Sequence, residues 1–289
     1  MNPALWGLMT ALGWGSADFI ARFTGRSMGH RTALLAMLAV GAVLLPLLVR
    51  AFGLTFVWSA EGWWLLALSG VGIMVATLLL YWALARGPVT VVAPIVGSYP
   101  GLVVAFAVLV LGARPQPVQW AAMGALLVGI LFVARAADSF RDEMEYTRRA
   151  LRGTLIIALA SSLGFAIAVS AAQAAMPIYG ELQTVCVARW ISLAAAAVLF
   201  LARREVPRVP LRWWPLITAQ GVFDAGAYVA LLLGSHGDGA AIAAATASCF
   251  CAVTVILARL VLREAMITSQ WAGVVLVIGG VGTLTGTAS

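Results

Sequence analysis

The segment GVFDAGAYVALLLGS, residues 221–235, is apolar almost throughout and yet carries an aspartate. Asp224 lies 12 residues beyond Arg212 and 10 before Gly234, near the middle of a helix rising 1.5 Å per residue. Gln220, Asp224 and Tyr228 are spaced four apart, so one helical face presents an amide, an acid and a phenol. An aspartate at the centre of a membrane helix costs about 2.5–3.5 kcal/mol on insertion scales and therefore calls for a reason. Such an acid can exchange a proton while sensing a cationic group, which is the chemistry of coupled transport.

Arg189 sits seven residues into its own apolar run and has the reach to meet Asp224. A buried Arg189–Asp224 pair has two readings, and both stand at this point. It is either a permanently ionised structural bridge, costly to break from one side, or a latch that a zwitterion opens. In the latter the solute's carboxylate takes Arg189 and its amine takes Asp224. Asp18 and Arg22, four apart near the end of the first run, form a local pair or else a gate (Arg22) beside a proton-taking acid (Asp18). Thr10, Trp14 and Asp18 make an i, i+4, i+8 stripe suited to a cavity wall. Tyr81, Ser98 and Tyr99 lie around a run interrupted by Pro94 and Pro100. A proline frees a carbonyl one turn upstream, and broken helices line cavities in membrane proteins, so these three are candidate lining as well.

The elements that must carry these residues are read from composition. The chain has 289 residues, 63% hydrophobic and 10% charged, far from the roughly 25% charged of a soluble domain. Ten apolar runs approach the ~20 residues that cross a bilayer. They are Ala4–Phe23, Ala33–Val49, Gly62–Ala85, Val89–Leu111, Pro117–Ala134, Leu151–Ala172, Leu182–Leu201, Trp213–Gly234, Ala240–Leu262 and Ser269–Gly286. None alternates with period two, so a barrel is excluded. The first run reaches spanning length without a basic n-region and reads as a mature span, not a cleaved signal.

All 18 basic residues are arginine, the mark of a GC-rich bacterial genome. Without lysine the phosphate-binding loop G-x-x-x-x-G-K-[ST] cannot be present. The net charge of +7 follows topology, with no need of nucleic acid. The gaps after runs 1, 3, 5, 7 and 9 hold 14 arginines against two, Arg50 and Arg114, on the opposite side. That bias makes the first side cytoplasmic and places both termini outside. Trp63, Trp64, Trp213 and Trp214 fall at span ends, as interfacial anchors do. Two histidines give metal catalysis little to work with, and His236 reads as an exposed loop residue. Cys186, Cys249 and Cys251 read as small packing residues. No metal or cofactor is expected.

The polar stretch 134–153 divides the runs five and five, giving repeats over 1–135 and 151–289 around a linker at 136–150. Sliding Gly70–Gly129 by 151 residues lays it, ungapped, on Gly221–Gly280, matching Leu109-Val110-Leu111 with Leu260-Val261-Leu262 and Gln119-Trp120 with Gln270-Trp271. Asp224 then falls on Ile73, so the acid breaks the pseudo-symmetry. Five spans per copy is odd, so the second copy enters the bilayer inverted. The expected fold is an all-α integral membrane protein of ten transmembrane helices in two inverted-topology five-helix repeats, the construction of secondary carriers with a midplane site.

The chain resembles the EamA-type, ten-span branch of the drug/metabolite transporter superfamily. The resemblance rests on LGWGSADFIAR (12–22), on ALARGPVTVVAPIVGSYPGL (83–102) with LVLGARPQPVQWAAMGA (109–125), and on LVLREAMITSQWAG (260–273) with its glutamate Glu264. The first copy departs from the pattern with Gly112-Ala113. The resemblance implies a carrier of small organic solutes in the bacterial inner membrane, often an exporter. Its partners would be a small organic solute, an amino-acid-like one favoured, together with protons and the lipid bilayer. The fused repeats fit a monomer or a loose homodimer. Rival readings are an uncoupled facilitator or exchanger, a lipid-active membrane enzyme, which lacks H-E-x-x-H and paired histidines here, and a scaffold with a closed centre.

Overall fold

A computed structural model describes residues 3–51, 53, 55–99, 102, 116–136, 148–234, 243, 246, 247, 249–263 and 266–286. Among them the chain forms α1 (Pro3–Met28), α2 (His30–Ala51), α3 (Trp63–Arg86), α4 (Val89–Gly97), α5 (Pro117–Ala136), α6 (Arg148–Tyr179), α7 (Glu181–Arg203), α8 (Trp214–Gly234), α9 (Phe250–Val261) and α10 (Thr268–Gly286), with a 3-10 turn at Leu211–Trp213. The described residues contain no strand. Four of the helices, α2, α3, α6 and α7, are long and apolar enough on their own to cross a membrane. Residues 100, 101 and 103–111 of the expected span Val89–Leu111 and 240–242, 244, 245 and 248 of Ala240–Leu262 lie outside the described residues, as do residues 137–147 of the linker, Pro100, His236 and Glu264.

Helices α1 and α6 outlast the apolar runs expected for them, ending at Met28 and Tyr179 instead of Phe23 and Ala172. Apolarity marks only the hydrocarbon depth, whereas a helix continues until its backbone is stopped. The stops are Gly29 and Gly180, at φ +86° and +79°, the left-handed geometry that only glycine adopts without penalty. These two glycines are 151 residues apart.

The same offset runs through the packing. Helix α3 lies on α6 as α8 lies on α1, α3 meets α7 as α8 meets α2, and α2/α7, α4/α9 and α5/α10 pair across the relation. Thr10 Oγ1 donates to Ala227 O at 3.2 Å and its counterpart Ser161 Oγ to Ala76 O at 2.8 Å. Gly13 is pressed against Ala227 as Gly164 is against Ala76, and Gly70 against Ile191 as Gly221 is against Val40. Close approach through small residues, with hydroxyls bonding to carbonyls of the facing helix, is how helices associate where lipid offers no hydrophobic drive. Large apolar side chains such as Leu47, Val198, Leu201 and Val275 point outward instead, the surface a bilayer requires.

Contact registers give directions. Gly72 faces Ala168 while Gly87 faces Thr154, so α6 runs antiparallel to α3. Arg22 Nη1 donates to Gly87 O at 3.2 Å and Arg26 Nε to Ala85 O at 3.0 Å, so α1 and α3 bring their C-terminal ends together. The core between them is a cluster of small and branched residues from α1, α2, α3, α4, α6 and α9, including Ala21, Leu34, Leu84, Val92, Ala158 and Val255.

Candidate functional site

Helix α8 carries Gln220, Asp224 and Tyr228 on one face, and the fold meets that face with α1, α3 and α7. Arg189 of α7 forms an ion pair with Asp224 through Nη2 and Oδ2. The Arg189 side chain is 4% exposed and that of Asp224 17%, so this acid balances a charge that is almost wholly out of solvent. The rest of its environment is soft. Nη1 lies 3.5 Å from Met37 Sδ, a weak acceptor, and the guanidinium sits 5.6 Å from the centre of the Tyr228 ring. Gly41 makes the room: a Cβ there would come within 3.3 Å of Arg189 Nε.

Tyr228 in turn meets Trp14 edge to face at 5.0 Å, and Trp14 meets Phe250 at 6.1 Å. Tyr99 packs against Phe165 at 5.8 Å. Adding 151 to Trp14 gives Phe165 and to Tyr99 gives Phe250, so the two ring pairs, Trp14/Phe250 and Tyr99/Phe165, are repeat images of each other. Trp14, Tyr99 and Phe250 share one apolar cluster with Ala11 and Cys251. The aromatic frame is therefore pseudo-symmetric, while the charges set on it are not. The counterparts of Asp18, Arg189 and Asp224 are Val169, Leu38 and Ile73.

Asp18 lies one turn below Trp14 on the same face of α1 and is half-buried. The expected local pair with Arg22 does not form: Arg22 is buried and turns away to the C-cap carbonyl of α3, Gly87 O. Gly87 O is an available acceptor there, because the last carbonyls of a helix have no partner within it and carry the negative end of its dipole. Asp18 is left without a hydrogen bond or ion pair among the described residues, within electrostatic reach of Asp224, Tyr99 and Tyr228. A charge without a partner at low dielectric is expensive, and a bound proton or a cationic group removes that cost.

The structure separates the remaining expected site residues into two sets. Trp14, Asp18, Tyr99, Asp224 and Tyr228 keep part of their surface exposed. Tyr81, Gln220 and Ser98 are sealed. Gln220 Nε2 donates to the Tyr81 hydroxyl at 2.5 Å while Thr24 Oγ1 donates to Gln220 Oε1 at 3.0 Å, a buried chain tying α1, α8 and α3. Ser98 Oγ donates to Ile95 O at 2.6 Å in its own helix end. Gln220 and Tyr81 tie helices to one another, while Ser98 closes the end of its own helix. Phe165, Phe250, Gly41 and Met37 were not identified from the residues alone, although the 151 offset applied to Trp14 and Tyr99 points to the two rings. Gly41 and Met37 left no sequence signal, because only the path of Arg189 gives them a role. Cys186 and Cys251 are buried free thiols and Cys249 is half-buried, as packing residues are. Among the described residues no cluster of histidine, cysteine or carboxylates has the makings of a metal site.

A solved crystal structure of another protein matches over 97% of this chain and 95% of its own, with a TM-score of 0.64 at 16% sequence identity, which shows a common fold. No curated protein matches the chain by sequence. The sequence model of the EamA-like transporter family matches residues 1–135 and again 152–286. The chain thus belongs to the EamA-like transporter family, as two copies of the family's repeat.

Proposed function

We propose that the protein is a ten-span secondary transporter of the bacterial cytoplasmic membrane, moving an amino-acid-like organic solute by alternating access, in exchange for protons and in the export direction. The observation that carries this reading is Asp18, a half-buried acid without a partner among the described residues, beside the closed Arg189–Asp224 pair on a pseudo-symmetric aromatic frame. Asp18 takes the proton or the solute's cationic group. The ion pair opens for a zwitterion, Arg189 receiving its carboxylate, and Trp14, Tyr99, Phe250 and Tyr228 cover its apolar part. The antiparallel run of α6 against α3, with α1 and α3 meeting at their C-terminal ends, supports an inverted second repeat, hence a site between repeats that rock about it. Arg22, Arg26 and Arg86 gather at one end of the bundle, which supports that end as cytoplasmic, with both termini outside.

The test is transport in proteoliposomes loaded with a pH dye, challenged with pools of amino acids, sugars and cationic amphiphiles. Proton flux that depends on one pool and disappears in Asp18→Asn, with the variant still monodisperse, is the expected result. Asp224→Asn should abolish solute movement as well. Solute flux without proton movement, unchanged in Asp18→Asn, would leave an uncoupled facilitator or exchanger, a reading favoured by Asp224 being already neutralised by Arg189.

A further inference from the structure

The seam between α2 and α7 has two ends related by the repeat offset, and they are finished differently. At one end Gln183 holds the backbone of Val57 from both sides, accepting from its N–H at 2.8 Å and donating to its carbonyl at 2.6 Å. Tyr179 there donates to Ser59 O and Glu61 O at 2.9 and 2.7 Å. That end is plugged by its loop. The counterparts of Tyr179 and Gln183 are Met28 and Thr32, and among the described residues neither bonds to the matching segment, 204–210. A bay of about 470 Å³ stands there instead, walled by Met28, Phe200 and Val206 and edged by Arg204, Glu205 and Arg208.

Arg204 is the second anomaly. It closes α7 at φ +53°, ψ +30°, its N–H bonded to Leu201 O. The repeat counterpart, Gly53, makes the same turn at φ +67° with its N–H on Arg50 O. The second repeat thus has an arginine in a left-handed position where a long side chain is penalised and where the first repeat has glycine. Arg263 turns in the same way at φ +54°, so what singles out Arg204 is its place at the edge of the bay. Glu205, the acid at the bay, is engaged by Arg31 at 2.8 Å, which leaves Arg204 and Arg208 exposed and without ion-pair partners among the described residues.

We infer that this bay binds a phosphate oxyanion, Arg204 and Arg208 gripping the phosphate while the Met28–Phe200–Val206 wall accepts the apolar part of its carrier. Guanidinium forks match phosphate geometry, and basic pockets between helices at a membrane surface take anionic headgroups. Bound there, the group would tie α2 of the first repeat to α7 of the second.

The experiment is independent of transport. The full chain is placed in phosphatidylcholine nanodiscs carrying graded phosphatidylglycerol, and lipid retained on the released protein is counted by native mass spectrometry. R204Q/R208Q should weaken retention by about 100-fold or more, since two charge-assisted contacts to the phosphate are lost. R203Q/R212Q, which removes equal charge from the same end outside the bay, should leave it within a factor of a few. Equal loss in both double variants, or no loss in either, overturns the site, and both are surface changes that leave the core untouched. Competition by millimolar inorganic phosphate would make the natural ligand a soluble phosphate. Resistance to it would make the ligand a lipid headgroup, and both results uphold oxyanion binding.

Discussion

Removing the acid from the Arg189–Asp224 pair tests how the centre of the bundle is held. In Asp224→Ala the guanidinium keeps its charge, 4% exposed, facing only a thioether and the Tyr228 ring. Breaking one side of a buried ion pair costs about 3–5 kcal/mol. The 17% exposure of Asp224 admits some solvent, which favours the lower end, about 3 kcal/mol. At roughly 2–4 °C per kcal/mol for chains of this order of size, melting should fall by on the order of 6–12 °C. Asp224→Asn, which keeps one acceptor for Arg189, should fall by less. Arg189→Met with Asp224→Leu removes both charges and should recover most of the loss, since well-packed apolar replacements of buried pairs are often neutral. Thermal unfolding of the solubilised protein, followed by size-exclusion fluorescence, gives all three values. A melting temperature unchanged in Asp224→Ala would refute the reasoning, because no other acid among the described residues pairs with Arg189. The double variant then separates the roles of the pair. A stable protein that still transports makes the bridge structural, and a stable protein that has lost solute flux makes it the latch.

Single contacts set further expected outcomes. A Cβ at Gly13 would sit 2.8 Å from Phe223 O, whereas at Gly164 the nearest atom, Ala76 Cβ, is 3.1 Å away. Gly13→Ala should therefore cost about 1–3 kcal/mol by overpacking and Gly164→Ala less, as paired melting curves would show; the reverse order would mean the α1/α8 seam is looser than its contacts imply. Gln220→Leu strands the Tyr81 hydroxyl in a sealed site, while Thr24 falls back on the Ile20 and Ala21 carbonyls, and should cost about 1–3 kcal/mol, with solute affinity unchanged if the chain only ties helices. Arg204→Gly relieves the left-handed turn and should raise stability by about 1 kcal/mol, read as a higher melting temperature.

Counting and periodicity alone settled the class of fold. The apolar runs, the lone acid at residue 224 and the 151-residue self-match made an all-helical, two-repeat membrane fold legible, because a bilayer imposes length and apolarity on every span. The local rules also marked Trp14, Asp18, Arg189 and Tyr228 as facing inward. For Arg22 they left a local pair with Asp18 and a gate both open, and of these the local pair does not form. Sequence distance cannot see that folding brings the end of α3, with its unsatisfied Gly87 carbonyl, beside that side chain. In the same way Gln220 and Tyr81, alike in type to the site residues, proved to be sealed, since burial depends on which helices arrive around them. The tertiary structure alone decided that Asp18 stands unpartnered among the described residues, that Gly41 opens the path of Arg189, and that Arg204 turns where Gly53 turns. The first two depend on contacts between residues far apart in the chain, which exist only once the helices are packed, and the third is a local backbone turn that the residue type arginine does not foretell.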